Sequence, residues 1–277
     1  MRSPSTFAAV SLLAAVSLLP AEGEFVGVTL SRNVTAAGGQ RVSSPLASVD
    51  DSIYAFYERA GRDADVARTI FDFIPTDEKA TSYYVCKDSP VRRYPVPVRG
   101  QRLKGLVDNS FATITSAIGN IPYFGSFYDT VYLIDDGAVT FTNPGGVELI
   151  NLSGFFDIPT VAAALSDFDP SIGKGKVFFA EGTVGEFGFM SFTFRNVRPI
   201  NNDGTDNKES TFQIVIYSDG YIQLFFKRKL RTPLSTIIGL SPGGGLPTVS
   251  GNPVLPDQTD LDLNVPRCIL PDSRMSN

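Results

Sequence analysis

A chain of 277 residues with 43% hydrophobic content can bury a sizeable core, in one large domain or two modest ones. Its net charge of −5 argues against the basic surface that phosphate contacts require, so nucleic acid is not an expected partner. The absence of histidine closes the Ser-His and Cys-His nucleophile pairs and the common zinc sites.

At the N-terminus, Arg2 precedes the apolar run FAAVSLLAAVSLL, residues 7–19, which is followed by PAEGE. This run is too short to span a bilayer but fits the core of a secretory signal peptide. Ala21 and Gly23 are small and spaced for cleavage after Gly23. Residues 1–23 are therefore expected to be a signal peptide, and the mature chain is expected to be secreted, with no transmembrane segment. The C-terminal RCILPDSRMSN lacks the hydrophobic tail of a lipid-anchor signal. Secretion gives meaning to the two cysteines, because an oxidising compartment favours joining Cys86 to Cys268. Two separate buried thiols are the alternative. Asn33 in NVT and Asn151 in NLS are N-glycosylation acceptors.

Residues 24–105 read as an N-terminal extension. Ser48 and Asp51 stand at capping spacing before a stripe of Val49, Ile53, Phe56, Tyr57 and Ala60, which predicts a helix ended by Gly61. Asp63 caps a second predicted short helix carrying Val66, Ala67, Ile70, Phe71 and Ile74. The stretch PVRRYPVPVRGQRLKG, residues 90–105, is rich in proline and arginine and predicts a linker or an extended strap. Within it, RGQR at 99–102 also has the form of a processing site.

Beyond this point the chain is nearly all strand and turn. DTVYLIDDGAVTFTN, residues 129–143, reads as a hairpin looped at Asp135, Asp136 and Gly137, with Leu133 opposite Val139 and Val131 opposite Phe141. PTVAAALSDFDP, residues 159–170, reads as a buried strand, and GKVFFAEG, FGFMSFTFRNV and LSTIIGLSPGGG add three more. TFQIVIYSDGYIQLFFK, residues 211–227, reads as a second hairpin. A three-residue loop of Ser218, Asp219 and Gly220 sets Phe212 against Phe226, Ile214 against Leu224 and Ile216 against Ile222. Thr211, Gln213, Tyr217, Gln223 and Lys227 then share the other face, which is expected to be largely wet. The fold class expected is mainly β, an antiparallel β-sandwich over 106–250, with the small helical N-terminal extension before it and a tail at 251–277.

The succession IPYFGSFYDTVYLIDDGAVTF, AAALSDFDPSIGKGKVFF, FMSFTFRNV, STFQIVIYSDGYIQLFF and STIIGLSPGGG resembles the nidogen-type extracellular (NIDO) domain family over roughly residues 106–245. The positions that carry the resemblance are Phe124, Gly125, Gly137, Phe141, Asp167, Asp169, Thr211, Phe212, Gln213, Asp219, Gly220 and Gly239. Leu165 and Ser166 stand where many family members have tryptophan, and the cysteine-rich companion modules of large members are not in this chain. The resemblance implies a secreted domain of extracellular matrix and cell-surface proteins with no catalytic activity.

The candidate chemistry is accordingly sparse. Asp167 and Asp169 are expected to point to one side and to cap turns, with calcium as the alternative and no other cofactor. NNDGTDNKES, residues 201–210, is calcium-like in composition, but a long polar hairpin loop has the same composition. In KRKLR, the cations Lys227, Arg228, Lys229 and Arg231 crowd a strand end. Joined by Arg92, Arg93, Arg99, Arg102 and Lys104 they would form a surface for sulfated glycans; alone they would block edge-to-edge aggregation. The reading is a non-catalytic extracellular or cell-surface interaction module of the cell–matrix adhesion type, its partner an extracellular protein. The alternative is a lectin-like sandwich that binds a glycan through its basic strand end.

Overall fold

The computed structural model describes residues 54–58, 66–98, 100–145, 149–200, 209–228, 230, 236–246, 248–249, 252–253 and 268. The expected signal peptide, Asn33, residues 201–208, Arg99, Lys229 and Arg231 lie outside them.

The chain runs through β1 (Tyr54–Glu58), β2 (Thr69–Pro75), β3 (Tyr83–Asp88), β4 (Gln101–Leu103), β5 (Phe111–Thr115) and β6 (Ile121–Tyr123). It continues through β7 (Ser126–Tyr128), β8 (Thr130–Ile134), β9 (Ala138–Thr140), the short helix α1 (Leu152–Asp157), β10 (Pro159–Leu165) and β11 (Phe168–Asp169). The remaining strands are β12 (Lys176–Val184), β13 (Phe187–Pro199), β14 (Ser210–Tyr217), β15 (Ile222–Phe226), β16 (Thr236–Pro242), β17 (Thr248–Val249) and β18 (Asn252–Pro253).

Two antiparallel sheets carry the fold. One has six strands in the order β1-β16-β10-β9-β8-β5. The other runs β3-β2-β15-β14-β13-β12-β4, with β11 paired to β13 as its eighth strand. The pairs β6-β7 and β17-β18 stand apart. The main core lies between the large sheets. Val131, Leu133, Val139 and Val161 of the six-stranded sheet share it with Phe71, Phe73, Phe192, Phe212, Ile214 and Phe226 of the other. The protein is a β-sandwich, as its alternating strands require.

Both hairpins have the expected register. Phe212 lies opposite Phe226, Ile214 opposite Leu224 and Ile216 opposite Ile222. The loop closes with Gly220 N–H donating to the Tyr217 carbonyl at 3.0 Å. Gly220 has φ 83°, and a Cβ there would meet the Pro122 carbonyl oxygen at 2.9 Å, so the turn and the close approach both call for glycine. In the other hairpin Leu133 lies opposite Val139.

Three expectations are corrected. Tyr54–Glu58 and Thr69–Pro75, placed in the two expected helices, are strands. β1 pairs with β16 and β2 with β15, so the residues before 106 belong to both sheets rather than to a separate helical extension. The physical reason is burial on both sides. Phe71 and Phe73 face the main core while Ile70 and Asp72 are covered on the other face. A strand that is dry on both sides loses its two-residue alternation, and a short apolar run then mimics a helical stripe.

The third correction is that the second face of the β14-β15 hairpin is not wet. Every residue of β14 is buried, Gln213 completely. The proline-rich segment before β4 is the cover. Val96 packs with Phe189, Val215, Tyr217 and Tyr221, and Tyr94 meets Phe225 edge-on at 5.1 Å between ring centroids. Gln213 Nε2 donates to Thr193 Oγ1 (2.8 Å) and to the Val96 carbonyl (3.3 Å), which ties strap to sheet. Proline supplies a backbone already extended and short of donors, suited to lying flat on a sheet that has none to spare. On the far side of the molecule α1 covers the six-stranded sheet, with Phe155 and Phe156 packed against Ala138, Ala162, Leu165 and Ile237.

Phe212→Ala is expected to cost about 3–5 kcal/mol, from lost burial and the cavity left behind. Gln213→Ala, a change tolerated on an exposed face, is expected to cost about 1–3 kcal/mol, because it unties the strap and strands Thr193. Denaturant melts of both variants check this, and a Gln213→Ala variant as stable as the parent would contradict the covered face.

Candidate functional site

Three clusters of polar groups stand out among the described residues: an acidic corner, a basic strand end and the surroundings of the disulfide.

The acidic corner forms where the β8-β9 loop meets the segment after β10. Gly137, at φ 84°, brings that loop so close to β10 that a Cβ would lie 2.6 Å from the Ala164 carbonyl oxygen. Asp135 is 1% exposed; its Oδ1 accepts from Ser110 N–H at 3.2 Å, and its Oδ2 has no hydrogen-bond partner. Asp136 accepts from Phe168 N–H at 3.1 Å. Burial, then the Asp136 charge, pushes the Asp135 carboxyl up to about 8. Burial pushes Asp136 up to about 7, with the charges of Asp167 and Asp108 adding to it against the Phe168 hydrogen bond. Asp167 is raised by burial and by Asp108 and Asp169.

Of the two carboxylates singled out in the sequence, Asp169 caps a turn, accepting from Ser171 N–H at 2.7 Å. Among the described residues, no three carboxylates of this corner bring oxygens within 4.8 Å of one another. Asp135 and Asp136 entered the sequence reading only as loop formers. Nothing in two adjacent aspartates before a glycine tells that the loop folds under β10 and dries them.

The basic strand end is built from four separate segments. Arg68 N–H donates to the Phe226 carbonyl (2.8 Å), and Val91 N–H donates to the Arg68 carbonyl (2.6 Å). This seats the start of the strap beside the end of β15. Tyr94 then lies on Phe225, and Lys227 Nζ stands 5.1 Å from the Tyr94 ring centroid, within cation–π range. The charges of Arg195 and Arg228 both act on the Tyr94 hydroxyl. Arg68, Arg92, Arg93, Arg195, Lys227 and Arg228 are all exposed. The strap segment that carries Arg92 and Arg93 therefore runs beside the end of β15, where Lys227 and Arg228 stand, and Arg68 and Arg195 are additions the sequence did not indicate. Arg102 and Lys104 do not join it; Arg102 lies on β4, at the sheet edge remote from β3. A groove of about 780 Å³ runs beside this patch between the strap and β12-β13, lined by Arg93, Tyr94, Val96, Glu181, Val184 and Phe189.

Cys86 and Cys268 form a disulfide, as expected. Cys268 N–H also donates to the Lys87 carbonyl at 2.9 Å, so residue 268 is held against β3 at the sheet edge. Asn151, the described glycosylation acceptor, is exposed and caps α1, with its Oδ1 accepting from Gly154 N–H at 2.9 Å. No helix among the described residues is long and apolar enough to cross a membrane.

Fold and clusters together define an antiparallel β-sandwich with covered outer faces and an exposed cationic strand end. Against known proteins the chain matches no family model, no curated protein and no solved structure.

The acidic corner makes a prediction about pH. The folded chain holds the Asp135 and Asp136 protons up to about 8 and about 7, whereas an unfolded chain releases them near 3.8. The folded state binds more protons in that window, so these groups lower stability as pH rises from about 4 to about 8. Asp135→Asn keeps the shape and removes the titration. Its melting temperature is expected to exceed the parent's at pH 8 and to depend less on pH between 5 and 8; an unchanged slope would contradict the assignment.

Proposed function

We propose that this protein is a secreted, non-catalytic interaction module of the nidogen-domain kind, acting in the extracellular matrix or at cell surfaces. The proposal is supported by the strand succession over residues 106–245, in which both hairpins of the motif series form. The single observation that carries the mode of recognition is Lys227 over the Tyr94 ring, with the charges of Arg195 and Arg228 acting on the same residue and Arg92 and Arg93 just before it in the chain. Six exposed cations in an acidic protein form a local field opposite in sign to the net charge.

That observation favours the second reading as the way the module binds. Its partner is a sulfated glycan, held by guanidinium–sulfate contacts, with the adjoining groove and Tyr94 taking a sugar ring. A protein partner would instead present a complementary acidic surface to the same residues.

The triple variant Arg92→Glu, Lys227→Glu, Arg228→Glu is expected to lose retention on a heparin column at physiological salt while keeping the parent's melting temperature. The parent's retention is expected to fall steeply as salt rises, because exposed charge contacts are screened. Unchanged retention of the triple variant would remove the glycan reading and leave protein recognition. A glycan array beside binding assays with purified acidic matrix proteins then separates the two.

A further inference from the structure

The ladder that joins β3, β2 and β15 sets Cys86 directly opposite Asp72, and Asp72 directly opposite Gln223. Residues opposite each other in a ladder point to the same face, so the three side chains form one row under the strap side of the sheet. Asp72 is 3% exposed. Its Oδ1 accepts from the Tyr221 hydroxyl and from Gln223 Nε2 (2.8 Å), while Gln223 Oε1 accepts from the Tyr217 hydroxyl at 2.9 Å. Its Oδ2 lies 3.2 Å from Cys268 Sγ, and the carboxyl and both sulfurs lie within 4.8 Å of one another. A disulfide sulfur carries no proton, so a hydrogen bond across this contact requires the carboxyl in its protonated form. Burial raises the Asp72 pKa, with the Asp88 charge adding to it against the hydrogen bonds of Tyr221 and Gln223, which is the direction this protonated form needs.

We propose that Cys86–Cys268 is an exchangeable disulfide and that Asp72 is the acid that protonates its leaving sulfur. The reductant is a thiol, either a small-molecule dithiol or the active-site cysteine of an oxidoreductase. Its thiolate attacks Cys86 Sγ on the edge strand β3, where the residue is 9% exposed. The S–S bond breaks, its electron pair goes to Cys268 Sγ, and the Asp72 proton moves to that sulfur. The products are a mixed disulfide on Cys86, a Cys268 thiol and an Asp72 carboxylate held by Tyr221 and Gln223. A second thiolate then takes the reductant's sulfur from Cys86, which leaves as a thiolate and takes a proton from water, giving a dithiol protein and an oxidised reductant. The two electrons supplied by the thiols equal those taken up by the bridge. Protonation matters because the leaving thiolate would otherwise be formed in a dry pocket beside a carboxyl, and a thiol with its proton provided leaves faster. The consequence is release of residue 268 from β3, leaving the sandwich sheets paired.

The titratable groups that face Asp72 are Tyr221 and Asp88, with Tyr217 one hydrogen bond further away. The experiment treats the oxidised full chain with dithiothreitol, quenches with an alkylating agent and follows bridge opening by mass spectrometry. Dividing the rate by the thiolate concentration removes the reductant's own titration. The wild-type rate so normalised is expected to fall as pH rises and Asp72 gives up its proton. In Asp72→Asn it is expected to be at least roughly tenfold slower at the acidic end of the range, where Asp72 holds its proton, and flat across it. In guanidinium, where the row is dispersed, the two chains are expected to open at the same rate. A flat normalised profile for the wild type overturns the proposal, as does an Asp72→Asn rate equal to the wild type in the folded state. If Asp72→Asn opens faster with a lowered melting temperature, unfolding has set its rate, and the wild-type profile alone decides.

Discussion

Strand β14 meets water on neither face, and the rest of the molecule is arranged around that constraint. Its inward residues, Phe212, Ile214 and Ile216, find the six-stranded sheet. Its outward residues, Gln213, Val215 and Tyr217, are covered as well. The strap around Val96 supplies that cover, held by a side-chain amide rather than by a ladder. A buried amide in such a place is costly unless it is bonded, which is why Gln213 spends both amide protons on Thr193 and Val96.

The same cover creates both clusters on this side of the molecule. By crossing the sheet the strap carries Arg92, Arg93 and Tyr94 to the end of β15, where Lys227 already stands. Drying the outer face also isolates the row Cys86, Asp72, Gln223, so that a carboxylic acid sits on a disulfide in a low-dielectric site. The acidic corner at the opposite sheet follows similar logic on a smaller scale. A tight loop folds beneath β10 and takes Asp135 and Asp136 with it.

Where residue spacing alone carried the information, the sequence was readable. The three-residue loop of 211–227 followed from sorting Phe212, Ile214 and Ile216 onto one face, and the pairs are those observed. The disulfide followed from there being two cysteines in a chain whose N-terminus reads as a secretory signal. The segment around Ile70–Ile74 was misread as helix because its spacing fits both a helical stripe and a strand that is dry on both sides. Asp167 and Asp169 drew attention through their alternation, yet burial raises Asp135 to about 8 and Asp136 to about 7.

The sequence by itself determined the strand-rich class, the hairpin registers and the cysteine pair, since each depends on neighbours or on counting. Only the tertiary structure decided which faces stayed wet, which cations met, and that Asp72 lies against the bridge. Those outcomes depend on contacts between residues far apart in the chain: Val96 with Gln213, Tyr94 with Lys227, Asp72 with Cys268. Local preference does not encode such contacts; they arise when two sheets and a strap compete to exclude water from the same strands.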